Sequence, residues 1–180
     1  HSPGPRPSVD ELAAYGNDLI PRERFTSREF LELEYERLWP RVWQVACRVE
    51  EIPEAGDFVE YAIGDSSAFV VRTGDGEVRA YLNTRIHRGT ALASGCGRFR
   101  GEIRCPFHGW RWDLDGNSTF VLDAHELPAE PPDARRLRDV RCETYGGFVF
   151  VNFDPAAAPL VGYLEEIPGY FDPYRPERMC

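Results

Sequence analysis

Four residues able to bind soft metals, His87, Cys96, Cys105 and His108, fall in one stretch from Tyr81 to Asn117, YLNTRIHRGTALASGCGRFRGEIRCPFHGWRWDLDGN. Nothing else in the chain looks as much like a metal site. Two half-sites stand out: His87 followed by Arg88 and Gly89, and the run Cys105-Pro106-Phe107-His108-Gly109-Trp110. A Cys and a His three apart on a tight turn can aim sulfur and imidazole nitrogen at one point, a donor pair that suits zinc or an iron–sulfur cluster. Two such half-sites need a scaffold that turns them toward each other. Rigid antiparallel strands do this by presenting loops from opposite hairpins.

The flanking sequence supplies such strands. Apolar and β-branched runs over 42–48, 57–63, 67–72 and 77–82 are separated by Gly64-Asp65 and Gly74-Asp75-Gly76, the chemistry of hairpin turns. Trp110 to Leu114 leads out of the second half-site and turns at Asp115-Gly116. Arg136 to Tyr145 and Gly147 to Phe153 read as two closing strands around Tyr145-Gly146-Gly147. Cys47 and Cys142 lie within apolar strand patterns and read as buried spacers.

Ahead of the strands, Thr26 and Glu29 are spaced as a capping box. Phe30, Leu31, Tyr35, Leu38 and Trp39 then recur at helical spacing until Pro40, an aromatic stripe expected to pack on the core. Before it, HSPGPRPS has no periodicity and reads as a lead, with a short helix expected over 8–15. After the strands, Tyr163, Tyr170, Phe171 and Tyr174 are expected to pack irregularly against the sheet. His125 sits among Asp123, Glu126 and Glu130, but a two-His, one-carboxylate iron site needs a second histidine that this segment lacks.

The net charge of −9 argues against nucleic-acid binding and for an acidic, soluble surface. No apolar run approaches the roughly 18 residues that cross a bilayer, and the expected location is cytoplasmic. Cysteines at 47, 96, 105, 142 and 180 are odd in number and irregular in spacing, unlike a secreted disulfide framework.

The Tyr81–Asn117 stretch resembles the cluster-binding loops of a Rieske iron–sulfur domain, the kind found at the N-terminus of ring-hydroxylating oxygenase large (alpha) subunits. That family reads Cys-x-His-Arg-Gly, a gap of roughly 15 to 17 residues, then Cys-x-x-His-Gly-Trp, with two Cys on one iron and two His on the other. Here His87-Arg88-Gly89 and Cys105-Pro106-Phe107-His108-Gly109-Trp110 match; the first Cys position holds Arg85. A guanidinium offers donors and no lone pair, so it cannot ligate iron.

Three readings of Arg85 stand open: a substitution that empties the site, a natural lineage that has lost the cluster, or a site in which Cys96 supplies the missing thiolate. Flanking glycines make the backbone around Cys96 permissive, although a plain loop thiol fits that position as well. With Cys96 the set His87, Cys96, Cys105 and His108 also suits a single tetrahedral zinc or iron.

The resemblance implies a mainly β fold, a Rieske-type antiparallel β-sandwich with a two-loop cluster-binding subdomain and an N-terminal helix. It divides the chain into a lead (1–25), a helix and entry strand (26–56), the Rieske domain (57–153, loops at about 83–97 and 105–112) and an irregular extension (154–180) toward a catalytic domain not on this chain. The implied cofactor is a [2Fe-2S] cluster held by His87, Cys105 and His108, with Arg88 shaping the first loop and Trp110 shielding the cluster from water. The implied role is passing electrons from a ferredoxin or reductase to a mononuclear iron in the catalytic domain of the same or a neighbouring subunit, impaired by Arg85. The alternative is a non-catalytic Rieske-like module, metal-free or holding one zinc, with a structural or partner-binding role.

Overall fold

The structure, a computed structural model, describes residues 22–83, 91–122 and 132–179. A helical turn α1 (Glu23–Thr26) and helix α2 (Arg28–Arg37) precede β1 (Gln44–Arg48), β2 (Asp57–Ile63), β3 (Ser66–Arg72) and β4 (Val78–Leu82). The short strands β5 (Cys96–Arg98), β6 (Ile103–Arg104), β7 (Arg111–Trp112) and β8 (Ser118–Phe120) follow. Then come β9 (Asp139–Tyr145), β10 (Phe148–Asn152), α3 (Leu160–Leu164) and α4 (Ile167–Phe171).

Seven strands form one antiparallel sheet in the order β1-β10-β9-β4-β3-β2-β5, and β6-β7-β8 form a second, smaller sheet. The anticipated hairpins form where Gly and Asp allow them, with β2 and β3 joined at Gly64-Asp65 and paired Phe58 to Val71 and Ile63 to Ser66. The mainly β, two-sheet architecture agrees with the sequence reading.

Strand β3 explains the layering. Its run Ala68-Phe69-Val70-Val71 is fully buried, and because successive strand side chains point to opposite faces, it feeds two cores at once. Ala68 and Val70 join Cys47, Ile52, Ala80, Val140, Val149 and Val151 on one face. Phe69 and Val71 join Tyr81, Leu92, Ile103, Cys105, Trp112 and Leu114 on the other. The second cluster lies between the large sheet and the small one, so the hairpin that carries Cys105 is fastened by buried apolar area. Each such side chain contributes about 1.5–3 kcal/mol.

Three local expectations are corrected. The cap of α2 is Ser27, whose Oγ accepts from the Phe30 amide at 3.3 Å, while Thr26 closes the preceding turn by donating to the Arg22 carbonyl. The apolar stripe of α2 does not enter the core: none of its residues is buried, and Leu31, Tyr35 and Leu38 stay half-exposed. The helix lies outside the sheet, with Tyr35 placed over the β2–β3 turn at Gly64. Likewise Tyr163, Tyr170, Phe171 and Tyr174 are exposed; Leu160 and Leu164 of α3 are what packs, against Trp43. The expected helix over 8–15 and the His125 segment lie outside the described residues.

Candidate metal centre

The second loop is a hairpin turn between β6 and β7, with Ile103 opposite Trp112 and Arg104 opposite Arg111. The backbone closes on itself twice, as the Cys105 amide donates to the Trp110 carbonyl at 2.8 Å and the Gly109 amide to the Cys105 carbonyl at 3.0 Å. Gly109 has φ +71°, a left-handed value that disfavours any side chain, so the turn needs glycine there. Cys105 is 1% exposed, its sulfur accepting the Phe107 amide at 3.4 Å. His108 lies on the exposed side of the turn, its ring edge-on to Phe107 with centroids 4.3 Å apart. Sulfur is thus seated among core residues while imidazole faces outward.

Trp110 is half-buried and tilted against Trp112, their centroids 6.4 Å apart. Trp112, which the motif does not single out, is the larger anchor: it is 2% exposed, and its indole Nε1 donates to the Arg135 carbonyl at 2.8 Å.

The first loop leaves β4 at Asn83 and returns at Leu92. Arg85, His87 and Arg88 lie outside the described residues, but both ends of their loop are described. Asn83 is 1% exposed; its Oδ1 accepts the amides of Leu92 and Ala93, both at 2.9 Å, and its Nδ2 donates to the Ala93 carbonyl at 2.8 Å. Glu60 on β2 takes the Gly95 amide at 2.8 Å through Oε2 and the Asn83 side chain at 3.0 Å through Oε1. Sequence reasoning missed both residues, because neither a polar residue just after a strand, as Asn83 is, nor a charged one in mid-strand, as Glu60 is, signals a partner far along the chain. Cys96 opens β5 opposite Val59 and is exposed.

Cys105 and the returning end of the first loop meet in one core, since Leu92 and Ala93 pack in the same cluster as Cys105. Among the described residues no group of three or more His, Cys, Asp or Glu gathers to hold a metal. Cys105 and His108 provide one thiolate and one imidazole, and His87 can add a second imidazole. Arg85 has no lone pair to give, so the donors at the motif positions do not make the two-Cys, two-His set that a Rieske cluster takes.

Comparison with known proteins shows the family and the fold. A family model described as the Rieske [2Fe-2S] domain matches residues 42–132. The carnitine monooxygenase oxygenase subunit of Escherichia coli (strain K12) is 34% identical over 83% of this chain and 39% of its own length. The anthranilate 1,2-dioxygenase large subunit of Acinetobacter baylyi is 37% identical over 77% of this chain and 30% of its own. Among solved structures, the apo form of a quaternary ammonium Rieske monooxygenase superposes with a TM-score of 0.80 at 25% identity, over 86% of this chain and 45% of that one. Naphthalene 1,2-dioxygenase from Rhodococcus sp. gives 0.78 at 29% identity, over 89% and 37%. The chain therefore spans less than half the length of these relatives.

Proposed function

The chain belongs to the Rieske [2Fe-2S] domain family, and on that premise we propose that it is the electron-transfer portion of an oxygenase alpha subunit, impaired at Arg85. The observation that carries this reading is the Cys105–His108 turn, with its sulfur seated in the core and its imidazole outward, inside a segment that matches the family. In the family the cluster supplies single-electron transfer. With arginine at the first cysteine position, no electron-transfer step is assigned to this chain. Its own residues do the rest: the Phe107 amide holds the Cys105 sulfur, and the β6–β7 turn sets the spacing of sulfur and imidazole.

The proposed ligands are His87, Cys105 and His108, with Arg88 and Trp110 shaping the surroundings. The proposed partners are a ferredoxin or reductase donor and the catalytic domain of the same or a neighbouring subunit, in the cytoplasm. The relatives are named for carnitine and anthranilate; a substrate of either kind is assigned to no residue of this chain.

A second reading is a module holding one zinc or none. By donor type, Cys96 with His87, Cys105 and His108 suits a tetrahedral N/S set, although among the described residues Cys96, Cys105 and His108 do not gather as a metal group.

The test is iron, acid-labile sulfide and zinc per chain, with a visible spectrum, for the wild type and for Arg85→Cys after anaerobic reconstitution. The expected result is little or no cluster in the wild type and about two irons and two sulfides, with Rieske-type absorbance, in Arg85→Cys. A full cluster in the wild type removes the impairment; no cluster in Arg85→Cys removes the electron-transfer reading. One zinc without sulfide selects the mononuclear site.

A further inference from the structure

We propose that Asn83 is the positioning residue of the first loop, fixing where the chain leaves and rejoins the sheet whether or not a metal is bound. A side-chain amide offers one carbonyl with two lone pairs and one NH2 with two hydrogens. Asn83 uses all of them. Its Oδ1 takes both the Leu92 and the Ala93 amides at 2.9 Å. Its Nδ2 is directed to the Ala93 carbonyl at 2.8 Å, to Glu60 Oε1 at 3.0 Å and to Ser67 Oγ at 3.1 Å, three acceptors sharing two hydrogens. The backbone extends the same junction, with the Asn83 amide donating to the Ser67 carbonyl at 2.9 Å.

Glu60 fastens the next residues along. Its Oε2 accepts the Gly95 amide at 2.8 Å, and its own amide donates to the Gly95 carbonyl at 2.6 Å. Residues 83, 92, 93 and 95 are thereby tied to one point on the β2–β3 pair by bonds that involve no metal. The apolar side of the junction ties it to the second loop, because Leu92 and Ala93, each 6% exposed, pack in the cluster that contains Cys105. Asn83 on one side and Leu92 and Ala93 on the other are therefore set relative to Cys105 by the protein alone. No shorter or purely accepting side chain does this. Alanine strands two buried amides, and aspartate loses both donors and faces the Glu60 carboxylate.

The test is backbone amide exchange by NMR on the full chain, in chelator and again with added zinc. Slow exchange of Leu92 and Ala93 that is the same in both conditions supports the proposal. Protection that appears only with zinc overturns it. Asn83→Ala should speed exchange of those two amides about tenfold or more, the loss of one buried hydrogen bond each, while the amides of Val70 and Val149 keep wild-type rates. Unchanged exchange at Leu92 and Ala93, or equal acceleration at all four amides, overturns the assignment. Should Asn83→Ala fail to fold, Asn83→Asp takes its place, and protection in the wild type that needs zinc still overturns the proposal. The result is independent of the cluster: failure of Arg85→Cys to take iron leaves this exchange pattern as it is.

Discussion

The Tyr61 hydroxyl donates a 2.6 Å hydrogen bond to Gln44 Oε1, joining two strands that do not pair with each other. β5 covers only Asp57–Val59 of β2, and beyond it Tyr61 reaches across to β1, at the far end of the strand order. Gln44 is buried and anchored on its other side, its Nε2 donating to the Trp39 carbonyl at 2.5 Å. A side-chain bond thus closes the curled sheet where the backbone ladder stops. Tyr61→Phe removes the donor and keeps the ring, leaving Gln44 Oε1 without this partner. The expected loss is about 1 kcal/mol, read as a lower midpoint in urea with an unchanged slope; an unchanged midpoint would mean the closure rests on packing alone.

Gly116 meets Tyr81 in the turn that follows β7. Its φ is +81°, and a Cβ there would stand 2.7 Å from Tyr81 Cε1, a ring that is fully buried and whose hydroxyl donates to the Leu114 carbonyl at 3.2 Å. Both strain and collision oppose any side chain, and the ring has nowhere to go within the core. Gly116→Ala should therefore destabilise by more than about 1 kcal/mol. Thermal unfolding monitored by circular dichroism checks this; a neutral effect would show that the turn can shift as a unit.

How much of this was legible in the sequence depended on turn chemistry. β2, β3, β4, β9 and β10 could be read because Gly64-Asp65, Gly74-Asp75-Gly76 and Gly146-Gly147 punctuate them. β5, β6 and β8 have only two or three residues each, too few for an alternating pattern to register. The Cys105–His108 turn was legible from its spacing. Asn83, Glu60 and Trp112 were not, because their roles depend on residues far along the chain, at Ala93, Gly95 and Arg135. The aromatic stripes of α2 and of 163–174 misled for the reverse reason: periodicity reports which residues share a face, not whether anything covers it.

Trp112 holds the small sheet against the large one. It is among the largest fully buried side chains, contacts the cluster that seats Cys105, and its indole is bonded to the Arg135 carbonyl. Trp112→Ala leaves a ring-sized cavity and removes the indole bond to the Arg135 carbonyl, an expected cost of about 3–5 kcal/mol. Trp112→Phe keeps most of the apolar contact and loses the hydrogen bond, so denaturant unfolding should rank wild type, Phe and Ala in descending stability. Equal losses for Phe and Ala would assign the whole effect to the bond.

The cysteines differ in reach. Burial pushes the Cys47 and Cys142 thiols up to about 12, while Cys96 is exposed. At pH 8 a thiol so raised is thiolate in only about one molecule in ten thousand. Iodoacetamide should therefore alkylate Cys96 in the native chain and reach Cys47 and Cys142 only on unfolding, as read by peptide mass spectrometry. The same assay addresses the zinc alternative: protection of Cys96 by added zinc supports its ligation, and labelling at an unchanged rate removes it from the ligand set.

Asp57 gives stability a pH dependence with a definite sign. Arg98 grips its carboxylate, Nε to Oδ1 at 2.6 Å and Nη2 to Oδ2 at 3.2 Å, and the Glu54 amide adds a bond to Oδ2 at 2.9 Å. The Arg98 hydrogen bonds, then the Glu54 amide, hold the carboxyl below its ordinary value of 3.8. A depressed carboxyl stabilises the fold at every pH above 3.8, where the unfolded chain is also ionised. That contribution fades as pH falls below 3.8 and through the lower folded value. Asp57→Asn removes the charge at all pH values, so the wild type should melt higher than the variant at pH 6, with the gap narrowing as pH falls below 3.8. Because Asp57 lies beside Arg98 at the end of β5, a gap constant with pH would mean that Asp57 acts through its hydrogen bonds alone, and that the ion pair contributes nothing to holding β5 on the sheet.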